Sequence, residues 1–250
     1  MAVLRTRTIR DQNELITHFD QSAGGYQEAH GGAQRLLDYR IALIRQRCEG
    51  RERGVLLELG CGTAIHLTAL APAFSRVIGT DISAGMIRAA WQHVQASPNR
   101  DRIELRVDSA EELRTVDDDS VDVVLCVGAI EHMLDQARVV RQVARVLKHG
   151  GVFIVLTPNG NYCWYTLLAP SFGISTRHLS TDRFLTRREL TLLLKSAGLP
   201  PVDCSYWTFI PKGDIPRWTG SMLEALDRLG RLCRIIAWRG GLILSAAKDV

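Results

Sequence analysis

From residue 55 onward, short apolar runs alternate with stretches of helical periodicity. VLLEL begins at Val55, VIGTD at Val77, IELRV at Ile103, VDVVLCV at Val121 and VFIVL at Val152. Such alternation predicts parallel βαβ units. The runs are rich in Val, Ile and Leu without sustained polar alternation, so helices are expected on both faces of the sheet. A helix is predicted from about Asp135 to Lys148, with Val139, Val140, Val143, Val146 and Leu147 on one stripe and Arg138, Arg141 and Arg145 elsewhere. Gly150-Gly151 reads as the turn that ends it. Thr186-Arg187-Arg188-Glu189 has the form of a capping box and predicts a helix through Ala197, stopped by Gly198 and Pro200-Pro201.

Three regions fall outside the alternation: residues 1–54, 157–185 and 211–239. The last of these contains a segment, 221–239, with Met222, Leu226, Leu229, Cys233 and Ile236 on one helical face and Arg228, Arg231 and Arg234 elsewhere. Its expected place is an inserted helix packed between the last two strands. A basic amphipathic helix can also meet a membrane surface or a partner subunit, so peripheral membrane contact or a homodimer through 211–239 is the alternative. The run from Gly241 to Lys248 reads as the final strand. Nine of the sixteen aromatic residues lie between 160 and 218, where they either pack these extra segments onto the core or form a lid over an apolar substrate.

Composition narrows the function classes. With 250 residues, 46% hydrophobic and 23% charged, the chain has enough apolar area for one sizeable core. The net charge of +4 comes from scattered arginines with no run of five or six basic residues, so no nucleic-acid partner is expected. Six cysteines without a CxxC pair argue against a disulfide framework or a zinc site; no metal is expected, and reduced thiols fit a cytoplasmic protein. The first residues lack the apolar stretch of a signal peptide, and the longest apolar run, 123–130, is well short of the ~18 residues of a membrane span.

The chemistry concentrates where the first run meets a glycine turn, Glu58-Leu59-Gly60-Cys61-Gly62-Thr63-Ala64. Glycines let a ligand approach the backbone, and the N-terminus of the following helix offers unpaired N–H groups. A dinucleotide fingerprint needs a small residue at position 65, which is Ile65 here, and no phosphate-binding GxxxxGK[ST] loop is present. The carboxylate of Glu58 would repel a pyrophosphate but suits a ligand carrying ammonium and sulfonium cations, as S-adenosylmethionine (SAM) does. Asp81 ends the second run, 81 − 62 = 19 residues after Gly62, where an acid can accept both hydroxyls of a ribose. Ile82 and Met86 follow it in the expected cofactor set. Asp108, with Ser109 and Ala110 after it, could accept from an adenine amino group or cap a helix over 109–113.

Together these residues resemble the class I SAM-dependent methyltransferases, through the E-x-G-x-G loop, the ribose acid, the Asp108-Ser109-Ala110-Glu111 segment and the fourth run. The resemblance covers 54–157 and departs at Ala64, where the family usually has a third glycine. Looser features resemble the ubiquinone-biosynthesis O-methyltransferases: Leu37-Asp38-Tyr39-Arg40, Ile130-Glu131-His132-Met133, Thr157-Pro158-Asn159-Gly160-Asn161 and Arg177-His178-Leu179-Ser180. The resemblance implies a Rossmann-like α/β fold with a seven-stranded, mostly parallel sheet in the order 3-2-1-4-5-7-6, the last strand antiparallel, helices on both faces and a helical cap. It implies one methyltransferase domain over 1–250, with the cap at 1–54, the SAM-binding core at 55–157, and a substrate-side half at 158–250 carrying insertions at 158–185 and 211–239. Arg40 would meet the methionine carboxylate, and Val127 and Gly128 would line the cofactor pocket.

Among the histidines, His132 is placed just past the strand whose end borders the ligand crevice, and imidazole titrates near neutrality. It is the candidate general base, the alternative being a residue that fills the pocket wall. Tyr26, Asn159, Tyr162 and His178 complete the expected acceptor wall. The expected reaction is methyl transfer to a hydroxyl or amine of a small molecule, aromatic, quinol-like or a biosynthetic intermediate. A SAM-binding protein without transfer activity, a C-methyltransferase, and a lipid methyltransferase at a membrane surface are the alternatives.

Overall fold

The computed structural model describes residues 6–25, 34–50, 54–171, 173, 175–207 and 217–249, with side chains in the last stretch from 221 onward. Seven strands form one sheet: β1 (Val55–Leu59), β2 (Arg76–Asp81), β3 (Ile103–Val107), β4 (Val121–Val127), β5 (Leu147–Pro158), β6 (Pro201–Trp207) and β7 (Gly241–Ala247). Their order is β3-β2-β1-β4-β5-β7-β6. The first five are mutually parallel, and β7 runs antiparallel to both β5 and β6. This is the expected order. Among the described residues the α-helices of six residues or more are α1 (Gln12–Ser22), α2 (Gln34–Arg47), α3 (Ile65–Leu70), α4 (Ala84–Gln95), α5 (Gln136–Val146), α6 (Arg187–Ser196) and α7 (Arg217–Leu232).

Successive residues of the central strands point to opposite faces, and each face has its own helical layer. Leu56, Val77, Val123, Leu125 and Ile154 pack with Ile44, Leu67, Leu70, Ile87 and Val94 on one side. Leu57, Ile78, Val124, Cys126 and Phe153 pack with Val139, Val143, Leu190 and Leu194 on the other. Double-sided burial is why the central runs carry no polar alternation. β6 carries Asp203 and Ser205, is half exposed along most of its length and escapes a search for apolar runs. It is an edge strand, and an edge tolerates Pro201 and polar side chains.

Two expected boundaries are corrected. α5, capped by Asp135 accepting from Arg138 N at 2.8 Å, ends at Val146 rather than Lys148. Leu147 is already extended and pairs with Val121 at the start of β5, so Gly150, at φ +74°, bends a strand instead of ending a helix. The last helix stops at Leu232, where Arg234 takes a left-handed φ of 58° and Ile235 N bonds back to Gly230 O at 2.8 Å. The capping box at Thr186 and Glu189 is present as expected.

The apolar stripe of α7 is also turned differently from the expectation. Leu223, Asp227 and Gly230 face inward. Asp227 is fully buried, accepts from Gly240 N at 2.9 Å and pairs with Arg239 at 3.3 Å. Gly230 lets Trp238 come so close that a Cβ would stand 2.6 Å from the Trp238 Cβ. Met222, Leu229, Leu232 and Ile236 are left outside, Leu232 80% exposed. A pairing specific to Asp227 and Gly230 has overridden the hydrophobic periodicity.

Candidate functional site

The glycine turn after β1 is shaped by backbone conformation. Gly60 (φ 61°) and Gly62 (φ 52°) are left-handed, and a Cβ on Gly60 would stand 2.7 Å from Ala129 Cβ. Ala64 is left-handed as well, at φ 61°, so the departure from glycine carries strain of about 1 kcal/mol. It is fully buried at the start of α3, where a larger side chain would add steric cost to that strain.

Asp81, at the C-terminal end of β2, is tied into this turn. Its Oδ2 accepts from Gly62 N at 3.0 Å and its Oδ1 from Ser83 N at 2.9 Å. Burial raises its pKa to about 6; the two amides pull it down, while the Glu58 and Asp20 carboxylates push it further up. Glu58 lies behind the turn, 1% exposed, with Oε1 bonded to His66 Nδ1 at 2.9 Å. Its Oε2 has no hydrogen-bond partner among the described residues. Cys61 packs under the turn, its thiol pushed well up by burial and by the Asp81 and Glu58 carboxylates.

These groups border a cavity of about 820 Å³ at the C-terminal ends of the parallel strands, the position where open α/β sheets bind ligands. Its wall brings together Gly60, Cys61, Gly62, Asp81, Ile82 and Met86, and, from the ends of β3 and β4, Asp108, Ser109, Ala110, Val127 and Gly128. Arg40 reaches it from α2, with its guanidinium 5.5 Å above the Trp207 ring. Glu58 stands one layer back, and His66 occupies the wall in front of it. Asp108 caps no helix: its Oδ2 accepts from Thr115 N at 2.8 Å and Thr115 Oγ1 at 2.7 Å. Among the described residues no group of His, Cys, Asp and Glu could hold a metal ion.

Apolar side chains share the cavity wall: Leu15 and Phe19 of α1, Leu36 and Leu37 of α2, and Ala129 and Met133 after β4, the last two beside Gly60. α1 is fastened over it by Asp20, which accepts from Ser83 Oγ at 2.6 Å and Gly85 N at 2.7 Å at the start of α4. These hydrogen bonds hold the Asp20 carboxyl below its usual range. His132 lies in this wall, its Nδ1 2.7 Å from Asp182 Oδ1 and its ring edge-on to Phe19 at 5.9 Å. Phe19, Asp20, His66 and Asp182 carried no local signal in the sequence, since each acts on a residue from another element.

The remaining acceptor-wall residues lie elsewhere. Asn159 is fully buried, its amide donating to Ile236 O at 3.1 Å and Arg239 O at 2.8 Å, which fastens the end of β5 to the approach to β7. Tyr162 is buried and stacks edge-on with Tyr165 at 5.3 Å; Tyr165 in turn lies 4.7 Å from Phe184. Neither Asn159 nor Tyr162 borders the cavity, and the described aromatics of 160–207 pack the insertion onto the core rather than roofing the site. His178 is exposed, and its backbone N–H donates to Asp182 Oδ2 at 2.9 Å. Tyr26 lies outside the described residues.

Comparison with known proteins identifies the family. The profile of a family described as a methyltransferase domain matches residues 57–155. Over 160 residues the chain is 37% identical to a protein of Mycolicibacterium smegmatis named "Probable S-adenosylmethionine-dependent methyltransferase", a match spanning 64% of this chain and 56% of that one. The chain thus spans little more than half the length of that relative. Over 215 residues it is 31% identical to the ubiquinone biosynthesis O-methyltransferase of Ruegeria pomeroyi, covering 78% of this chain and 86% of that one. In fold it matches geranyl diphosphate C-methyltransferase from Streptomyces coelicolor, crystallised with Mg2+, geranyl diphosphate and S-adenosyl-L-homocysteine, with a TM-score of 0.67 at 16% identity over 95% of this chain and 97% of that one. The sheet order, the glycine turn and these likenesses together make the chain a member of the SAM-dependent methyltransferases, enzymes that take S-adenosylmethionine as methyl donor.

Proposed function

We propose that this enzyme methylates a hydroxyl or amine of an apolar small molecule, with His132 as the base. The observation that carries the proposal is one cavity whose wall holds the glycine turn and the carboxylates of Asp81 and Asp108 together with Leu15, Phe19, Met133 and His132. The polar groups of the wall suit the donor. Asp81 takes the ribose hydroxyls, Asp108 and Ser109 face the adenine, and Arg40 takes the carboxylate of the methionine moiety. Glu58, with a buried oxygen lacking a partner among the described residues, supplies the negative charge for the ammonium. Bound there, SAM supplies an electrophilic methyl group on a sulfonium whose departure leaves a neutral thioether.

The chain then has to align the acceptor and dispose of one proton. Phe19, edge-on to His132, and Leu15 keep water from an acceptor held there. The acceptor's heteroatom gains the methyl group, its proton passes to His132, and the resulting imidazolium returns the proton to solvent after product leaves. The likeness to the Ruegeria O-methyltransferase favours an oxygen acceptor. Incubation with methyl-labelled SAM and a panel of phenols, quinols, amines and carbon acids is expected to place label on oxygen or nitrogen with equimolar S-adenosylhomocysteine. Label found on carbon alone, or SAM bound without turnover across the panel, would contradict this.

The exposed residues of α7 and of the turn after it support a second reading, that the enzyme works against an anionic membrane surface. Met222, Leu229, Leu232 and Ile236 are 43–80% exposed, and Arg228, Arg231 and Arg234 are exposed beside them. Apolar insertion flanked by arginines is complementary to anionic headgroups. A second copy packed on the same face would bring these arginines towards one another. The protein is expected to co-sediment with vesicles of anionic phospholipid, and Leu232→Asp with Arg231→Glu to leave it in the supernatant. Equal sedimentation of both proteins, or none of either, would remove the reading.

A further inference from the structure

We infer that Asp182 is the positioning residue for His132, fixing the tautomer and direction of its imidazole from the loop between Leu179 and α6. The inference rests on the reading of His132 as the proton acceptor.

The two residues are 50 apart in sequence, yet Nδ1 of His132 and Oδ1 of Asp182 are 2.7 Å apart. The Asp182 side chain is fully buried, and that of His132 is 20% exposed, at the cavity wall. The second carboxylate oxygen, Oδ2, accepts from His178 N and Leu179 N, each at 2.9 Å. Both oxygens of Asp182 are therefore engaged. Burial opposes its ionisation, but the bonds from His132 and the two amides outweigh that, and its pKa falls below the usual value. An ionised carboxylate can only accept, so Nδ1 of His132 carries a proton, and in the neutral ring Nε2 is the atom with the lone pair that a base requires.

The ring is also held through the turn that bears it. Thr157 Oγ1 donates to Glu131 Oε2 at 3.0 Å, and Arg183 N donates to Glu131 O at 2.9 Å. The loop carrying Asp182 is itself bridged to the N-terminal segment, with Arg7 N donating to His178 O and Ser180 N to Arg7 O, both at 2.9 Å. The imidazole orientation and the seating of this loop thus share one set of contacts.

The charges nearby make the carboxylate more than a tether. His18 of α1, Arg7 and His178 all act electrostatically in this cluster, and burial together with the Arg7 and His132 charges lowers the His18 pKa. Arg7 reaches His18 through NH1 at 3.2 Å from Nδ1. Protonating His132 during turnover adds positive charge beside these groups, and Asp182 is the anion in direct contact that offsets it. A carboxylate behind an imidazole serves this orienting and stabilising role without itself taking the proton.

The test is Asp182→Asn in the full-length enzyme, with His132→Ala alongside. Asparagine keeps the volume and one acceptor, and circular dichroism together with SAM binding reports whether the cap remains folded. The expected kcat loss for Asp182→Asn is about 10- to 100-fold, with acceptor KM and SAM Kd changed by less than roughly threefold. The ascending limb of the kcat–pH profile is expected to move to lower pH, because the imidazolium loses its anionic partner. Ring 15N shifts of His132, recorded without substrate, are expected to show the Nδ1–H tautomer in the parent and a mixture in the variant. A variant that folds and loses activity but keeps the parental pH limb and tautomer would overturn the inference, as would one with parental kcat. Undiminished turnover in His132→Ala would instead overturn the base reading itself.

Discussion

His132→Ala is expected to lower kcat by about 10²- to 10⁴-fold at neutral pH, the range that a positioned general base contributes. Sulfonium methyl transfer has a good leaving group, so the variant should retain the rate that alignment alone provides. The loss depends on how strongly the acceptor holds its proton: it should be large for an alcohol or ammonium-type acceptor and small for a phenol already ionised at high pH. His132→Ala should therefore recover part of its rate as pH rises, while the parent enzyme reaches a plateau. SAM affinity should change little, since the role proposed for His132 is toward the acceptor and the donor's polar groups are assigned to other residues. Steady-state kinetics with calorimetric SAM binding checks both points. Parental kcat with an unionised acceptor would eliminate His132 as the base and leave it a wall residue.

Asp81→Ala is expected to weaken SAM binding by about 100-fold or more. In the proposed donor pose two charge-assisted hydrogen bonds to ribose hydroxyls are lost, each worth roughly 1.5–3 kcal/mol, and 1.4 kcal/mol corresponds to tenfold in affinity. The variant also leaves Gly62 N and Ser83 N without their acceptor, so the glycine turn loosens. A pH dependence accompanies this effect. With its pKa raised by burial to about 6, Asp81 is ionised above that pH and neutral below it. Hydroxyl donors favour the ionised form, so SAM affinity should be level above pH 6 and fall, at most tenfold per unit, as pH drops below it. Asp81→Asn should remove this dependence. Calorimetric titration between pH 5 and 8 measures it, and a parental slope in Asp81→Asn would assign the proton to another group.

The parts of the site legible in the sequence were those made by contiguous residues. A strand, a glycine turn and a helix start occupy one stretch at 55–65, and the acid at the end of the next strand lies at a spacing that βαβ geometry dictates. The sheet order followed from family likeness rather than from the strands. β6 was illegible as an apolar run, because an edge strand can carry Asp203 and Ser205 without burying them. The acceptor wall was only half legible. His132 stood out through its place after β4, but Asp182, Phe19 and Asp20 reach the site from elements far away in sequence. Asn159 and Tyr162 were expected at the cavity because they follow β5; the pairing of Pro158 with Gly241 instead carries the chain towards β7 and the interior. For α7, periodicity grouped Met222, Leu226 and Leu229 but did not give the direction of their face, and Cys233 and Ile236 lie past the helix end at Leu232. The buried Asp227–Arg239 pair and the close approach at Gly230 turned the stripe outward.

The most direct test of the central claim, that one cavity aligns donor and acceptor between Asp81 and His132, is a crystal structure of the complex with S-adenosylhomocysteine. The ribose hydroxyls are expected within hydrogen-bond distance of Asp81, the adenine beside Asp108 and Ser109, and the sulfur facing the part of the cavity wall that holds His132 and Phe19. A nucleoside bound away from Asp81, or a sulfur facing a wall that His132 does not reach, would contradict the account.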